Sequence, residues 1–200
     1  FIHRDLGVRF EVPPKFILFN STNQVVARGP MESTMVFDIA REKTGRKATS
    51  LKNHIVNTWA RKLSLKGLEH ININGLKAVT ASAHFREKDY RLIAIRGWQN
   101  ITFHFTFITT PSTTTRFNSD FRRATYSFRR ISKAEAAAIQ PLRIKIIKIA
   151  PGETTRKLAD KMPFEVFQLD WLQILNGLTP GQKIRPGESI KVIVKNNNKI

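Results

Sequence analysis

The dipeptide Asn74-Gly75 constrains the fold of this chain more than any other short stretch. It stands between two strand-like runs, residues 68–73 and 76–85, and Asn-Gly supplies the two successive positive φ angles that a type I′ hairpin turn requires. A lone hairpin is marginal in water, so partner strands must lie nearby. Beyond a turn at Glu87-Lys88-Asp89, residues 90–97 and 101–109 continue the pattern. In the second of these, Ile101, Phe103, Phe105 and Phe107 alternate with Thr102, His104 and Thr106, which predicts a strand with one buried face. A row of phenylalanines can also stack nucleic-acid bases, but on an alternating strand it reads as core. The centre of the chain is therefore expected to be an antiparallel sheet.

The flanks add strands and helices. Residues 7–12 alternate and stop at Pro13-Pro14, and residues 16–19, 24–27 and 34–39 read as further strands, the last two separated by Gly29-Pro30. Residues 41–47 form a basic turn without the glycine spacing of a phosphate-binding loop. Leu51, Ile55, Trp59 and Leu63 recur every four residues, which predicts a helix over about 50–65 with Trp59 in the core. Phe117, Phe121, Ala124, Phe128 and Ile131 then step by four and three. Arg116, Arg122, Arg123, Arg129 and Arg130 occupy the other faces of that helix. Basic amphipathic helices lie on membrane surfaces or pack on a sheet with their arginines extended into water, and we expect the second arrangement here. Ser132 and Glu135, at capping-box spacing, open a short helical connector that ends before Pro141.

The formal charge of +19 is spread along the chain, with 23 basic against 10 acidic residues before Gln140 and 11 against 5 after it. Such a charge favours nucleic acid, anionic lipid or acidic wall polymers as partners, or else it is compositional and covers solvated faces. Nucleic-acid binders concentrate their basic residues among aromatics, and this chain does not. No apolar run approaches the roughly 20 residues of a membrane-spanning helix. The absence of cysteine removes disulfides, thiolate metal sites and cysteine nucleophiles from consideration. Neither HExxH, nor a nucleophile elbow, nor a Walker loop occurs. His3, His54, His70, His84 and His104 show no paired-ligand spacing and read as surface or half-buried imidazoles. The chain opens without methionine or a charged-then-apolar leader, so an upstream portion is expected.

Residues 142–194 read as a module of their own. An apolar run ends at Pro151-Gly152, Thr154 can cap a helix carrying Leu158, Ala159 and Met162, and Pro163 ends that pattern. Phe167, Trp171, Ile174 and Leu175 give a second amphipathic series, closed by Asn176-Gly177 as a C-terminal glycine closes helices. After turns at Pro180-Gly181 and Pro186-Gly187, Ile190, Val192 and Val194 alternate as a last strand. The order is strand, helix, helix, strand.

Pro151-Gly-Glu-Thr154, Leu158-Ala159, Leu175-Asn-Gly-Leu178 and Pro186-Gly187 make this module resemble a LysM domain, the small glycan-binding unit of cell-wall proteins. It departs from that family in carrying Glu153 for the usual aspartate and a longer link over residues 163–170. The resemblance implies a glycan groove formed by Gly152, Glu153 and Thr154 on one side and Gly177, Leu178 and Thr179 on the other.

A broader resemblance covers nearly the whole chain. Residues 1–14 and 16–21, 121–138 and 141–144, running into the LysM-like tail, are similar to the C-terminal region of secreted bacterial zinc metallopeptidases of the BepA-like group. The body before Gln140 resembles PsbP-like α/β sandwiches, which serve as assembly and docking modules. The family's catalytic histidines and glutamate have no counterpart here. These resemblances imply no catalytic residue, metal or cofactor in this chain, zinc being expected only in an upstream HExxH domain. They imply a periplasmic or cell-envelope setting, with peptidoglycan, envelope proteins and the chain's own protease domain as partners.

The expected fold is α+β: an antiparallel sheet with packed helices over residues 1–140, PsbP-like in its sandwich, followed by a βααβ LysM-like module over 141–200. The expected function is targeting and partner binding for an envelope zinc metallopeptidase, with peptidoglycan held by the tail. The alternative is a basic protein that binds nucleic acid or another anionic surface through its arginines.

Overall fold

The computed structural model describes residues 1–42 and 49–195, and residues 43–47 of the basic turn lie outside them. The chain divides into two compact units, Phe1–Lys133 and Ala134–Ile200. The first, the body, runs β1 (Ile2–His3), β2 (Val8–Arg9), β3 (Ile17–Asn20), β4 (Gln24–Arg28), β5 (Thr34–Arg41), α1 (Leu51–His54), a π-helical turn (Ile55–Trp59), β6 (Leu65–Ile73), β7 (Leu76–Phe85), β8 (Lys88–Arg96), β9 (Ile101–Thr109), α2 (Thr114–Ser127) and β10 (Arg129–Arg130). Seven strands form one antiparallel sheet in the order β3-β4-β5-β9-β8-β7-β6, while β1, β2 and β10 form a small second sheet.

The period of two in β9 assigns its residues to opposite faces. Phe103, Phe105 and Phe107 lie on one side with Met35 and Phe37 of β5 and Ile93 and Ile95 of β8, and Phe117, Phe121 and Ala124 of α2 close over them. Phe105 is fully buried with its ring centroid 5.1 Å from those of both Phe10 and Phe37 and 5.7 Å from that of Phe128. On the other face, Val79, Ala81, Leu92 and Ala94 pack beneath Leu51, Ile55 and Trp59. The body is therefore α+β, an antiparallel sheet with helix on both faces.

Two helices depart from their sequence periods. The first ends as a π turn, closed by the Ala60 N–H donating to the Ile55 carbonyl at 2.8 Å, and Leu65 opens β6 instead of closing a helix. The second stops at Ser127, so Arg129 and Arg130 belong to β10, paired with β2, and not to a basic helix. Phe128 turns extended there and is buried against Phe103 and Phe105, which offers more than another helical turn on the surface. Asn74, at the tip of the β6–β7 hairpin, helps stop the helix by donating from its Nδ2 to the carbonyls of Tyr126 (2.7 Å) and Phe128 (3.0 Å).

The second unit, the tail, begins within α3 (Lys133–Ala138) and continues through β11 (Leu142–Lys148), α4 (Thr155–Asp160), α5 (Gln168–Asn176) and β12 (Ser189–Lys195), with β11 and β12 antiparallel. Ile149, Leu158, Ala159, Met162, Leu172, Ile190, Val192 and Val194 form its core. The Thr154 side chain accepts from the Lys157 N–H at 3.2 Å and caps α4, and left-handed Gly177 closes α5. The apolar series read on α5 does not face that core. Leu172 is its buried residue, whereas Phe167, Trp171 and Ile174 are 70%, 47% and 73% exposed. Leu158, Met162 and the β12 valines already fill the small core, so α5 adds Leu172 within it and Leu169 at its edge.

Candidate functional site

The tail residues singled out for glycan binding lie on two glycine turns. Gly152 and Gly177 both have positive φ, at +79° and +63°, and a Cβ built on either meets no atom within 4 Å, so the backbone there is open. Most of the polar groups beside them are committed within the tail. The Gly152 carbonyl accepts from Lys157 Nζ at 3.0 Å, and Glu153 Oε1 pairs with Lys161 Nζ at 2.8 Å. Leu178 N–H donates to the Gln173 carbonyl at 2.9 Å, and Thr179 N–H and Oγ1 both turn to Gln182 Oε1. Glu153 Oε2 is buried with no hydrogen-bond partner. Asn176, between Leu175 and Gly177, pairs with Lys191 of β12 in both directions at 2.8 Å, which ties the α5 terminus to the last strand.

The five arginines do not form one surface. Arg116, Arg122 and Arg123 project from α2, with Arg123 on Asp120 and Arg122 over the Tyr126 ring. Arg130 lies over the Trp98 ring with 4.6 Å from its guanidinium carbon to the centroid, and Arg129 is half-buried in β10.

Two features of the body were not legible in the sequence. The first is a cleft of about 690 Å³ between α2 and the β6–β9 half of the sheet. Ile71, Ile93, Phe107 and Phe121 supply its apolar lining. One wall is a chain of hydrogen bonds: His84 Nδ1 to Asp89 Oδ1 at 2.8 Å, Thr114 Oγ1 donating to Asp89 Oδ2 at 2.6 Å, and Thr114 to Thr109 at 2.7 Å. Those bonds, first from Thr114 and then from His84, hold the Asp89 carboxyl below its ordinary value, so it is firmly ionised. Thr80, in the same lining, is buried and its Oγ1 has no hydrogen-bond partner. A bulge between Lys66 and Glu69, with Gly67 at φ +58°, shifts the register of β6 beside the cleft.

The second is a buried polar chain on the opposite face. His104 Nδ1 lies 2.7 Å from Asp38 Oδ1, and His104 Nε2 lies 2.8 Å from His54 Nε2. Both imidazoles are buried, which corrects the reading of all five histidines as surface or half-buried groups. Trp59 stacks on His104 at 4.0 Å and 11°, so it serves as a lid on this chain and is only partly buried. The Asp38 carboxylate accepts the hydrogen on His104 Nδ1, and the two Nε2 atoms share one hydrogen between them. Burial first, and the neighbouring His104 second, lower the pKa of His54. Residues 54 and 104 stand 50 apart on different elements, so only the tertiary fold brings them together. Among the described residues no group of three or more His, Cys, Asp or Glu side chains could hold a metal ion. No helix among them is long and apolar enough to cross a membrane.

No protein-family model matches the chain, and no curated protein matches it in sequence. Solved structures do align with it. The cyanobacterial PsbP protein, CyanoP, of Synechocystis sp. PCC 6803 is 16% identical with a TM-score of 0.49, over 65% of this chain and 90% of that one. LpqN of Mycobacterium tuberculosis, a protein involved in cell envelope biogenesis, is 9% identical with a TM-score of 0.44, over 62% and 83%. A protein of unknown function from Pseudomonas aeruginosa is 14% identical with a TM-score of 0.41, over 56% and 94%.

Proposed function

We propose that this chain is a non-catalytic binding region of a bacterial cell-envelope protein, held to peptidoglycan by its tail and working beside a zinc metallopeptidase domain. The observation that carries the reading is the tail itself: a βααβ unit whose two left-handed glycine turns, Gly152 and Gly177, leave open backbone beside them. The tail's phrases and element order resemble those of LysM units apart from Glu153 and the longer helix link, and the chain's broader resemblance suggests the metallopeptidase and the periplasmic or envelope setting. With the amides of Leu178 and Thr179 already used and Glu153 held by Lys161, an acetamido N–H would take the second lone pair of the Gly152 carbonyl, while Leu178 covers the methyl.

The test is retention of the full chain on purified peptidoglycan at high salt. Gly177→Trp should lose most of that retention while the tail stays folded, because the indole enters open space and the strain of a left-handed non-glycine costs only about 1 kcal/mol. Gly75→Trp places the same residue at an equally open left-handed position in the body and should bind as the native chain does. Native chain left in solution, or Gly177→Trp retained in full, would refute the glycan reading. Retention that vanishes between about 50 and 200 mM salt would instead favour binding to an anionic surface.

A further inference from the structure

The proposal for the tail leaves the cleft in the body without an occupant, and the cleft has the attributes of a small-molecule site. Its volume of about 690 Å³ falls within the roughly 300–1,000 Å³ typical of ligand pockets. Its lining joins an apolar floor to a few oriented polar groups, and the wall formed by His84, Asp89, Thr114 and Thr109 is already fixed by its own hydrogen bonds. Thr80 is the most informative of the lining residues. A hydroxyl buried to 7% exposure without a partner is costly in the free protein, and a polar atom of a bound molecule would satisfy it.

The charges say which sign that molecule carries. Lys66, Arg91 and Arg122 line the cleft, and none of them has a carboxylate partner among the described residues. Of the two carboxylates in the lining, Asp89 is taken up by His84 and Thr114, which leaves Glu69 alone against three cations. We propose that this cleft binds a small amphipathic carboxylate, its apolar body over Ile71, Phe107 and Phe121, an internal polar group on Thr80 Oγ1, and its acid group held by Arg91 and Arg122. The site lies within residues 66–126 and stands or falls independently of glycan binding by the tail.

N-octanoylglycine is a suitable probe, since it joins an apolar chain, an amide and a carboxylate. Titrated calorimetrically into the full chain at about 150 mM salt, where exposed charges are largely screened, it should bind saturably with one molecule per chain. Octyltrimethylammonium, with the opposite charge, should bind at least ten-fold more weakly. Asn118→Trp, at an exposed position of α2 in the cleft lining, should abolish binding without disturbing the core. The double change Arg91→Gln with Arg122→Gln should weaken it ten-fold or more. Thr80→Val should weaken it while leaving the melting temperature of the free chain the same or higher, because the substitution removes an unpaired buried hydroxyl. The site would be disproved by equal binding of the cation, by binding that survives Asn118→Trp, by tighter binding to Thr80→Val, or by the absence of saturation at millimolar probe.

Discussion

Phe105→Ala should lower the stability of the body by about 3–5 kcal/mol, which for a unit of this size is a fall of roughly 10–20 °C in its melting temperature. Phe105 is fully buried, and its ring meets those of Phe10, Phe37, Phe107 and Phe128. Those neighbours come from a loop, from two strands and from the residue that ends α2. They cannot close together on the vacated volume, so the full cavity term is expected. Phe167→Ala is the contrast, since that ring is 70% exposed and its loss should change the stability of the tail by no more than about 0.5 kcal/mol. Thermal melts combined with amide exchange in β5, β8 and β9 separate the body's transition from the tail's. A Phe105→Ala chain that melts within a few degrees of the native one would contradict this account of the core.

The body should also weaken as the pH falls below about 6.5, and His54→Gln should remove much of that dependence. His54 holds its proton less well in the fold than in the unfolded chain, because burial disfavours the charged imidazole. Its contribution is therefore complete above the unfolded value near 6.5 and is lost as the pH drops toward the lower folded value, where the unfolded chain binds a proton that the fold refuses. Each pH unit of displacement corresponds to about 1.4 kcal/mol. Asp38 and Glu42 act in the opposite sense, and His104 and Arg96 act in the same sense as burial. The glutamine amide introduced by that substitution can donate to or accept from His104 Nε2 but cannot titrate. Denaturant midpoints measured between about pH 5 and 7.5 for both chains, a range that brackets the ordinary histidine value, test this, and parallel curves would sink it.

The sequence made the strands legible wherever one residue type carried the local geometry. Asn74 and Gly75 both have positive φ, as the hairpin dipeptide required, and the alternating phenylalanines of β9 face the core. Three other pairs, Met31-Glu32, Arg86-Glu87 and Gln99-Asn100, also take two successive positive φ angles, yet contain no glycine. There the strand pairing on either side imposes the turn; of the six residues only Asn100 favours it, and the charged run at Glu87-Lys88-Asp89 signalled a turn without locating its left-handed pair. The same override explains the helices. Four-residue spacing correctly placed Leu51, Ile55 and Trp59 together, but it could not show that Phe128 belongs in the core or that α5 turns Trp171 and Ile174 outward. The candidate sites divide in the same way. The glycine turns of the tail stand out in the sequence because glycine adopts their left-handed backbone most readily, whereas the cleft and the histidine pair are assembled from residues scattered over β5 to α2.

The two borders of the large sheet are guarded unequally. On β6 the bulge after Lys66, together with charged Glu69, spoils the template that another chain would need in order to add a strand. On β3 no bulge interrupts the pairing with β4: Ile17 and Phe19 are 67% and 50% exposed, and Arg28 lies over the Phe19 ring. Its brevity, four residues, is the main protection that border has. Crowding during synthesis or concentration would therefore favour sticking through β3, and a lysine in place of Ile17 is the simplest way to keep preparations of this protein monodisperse.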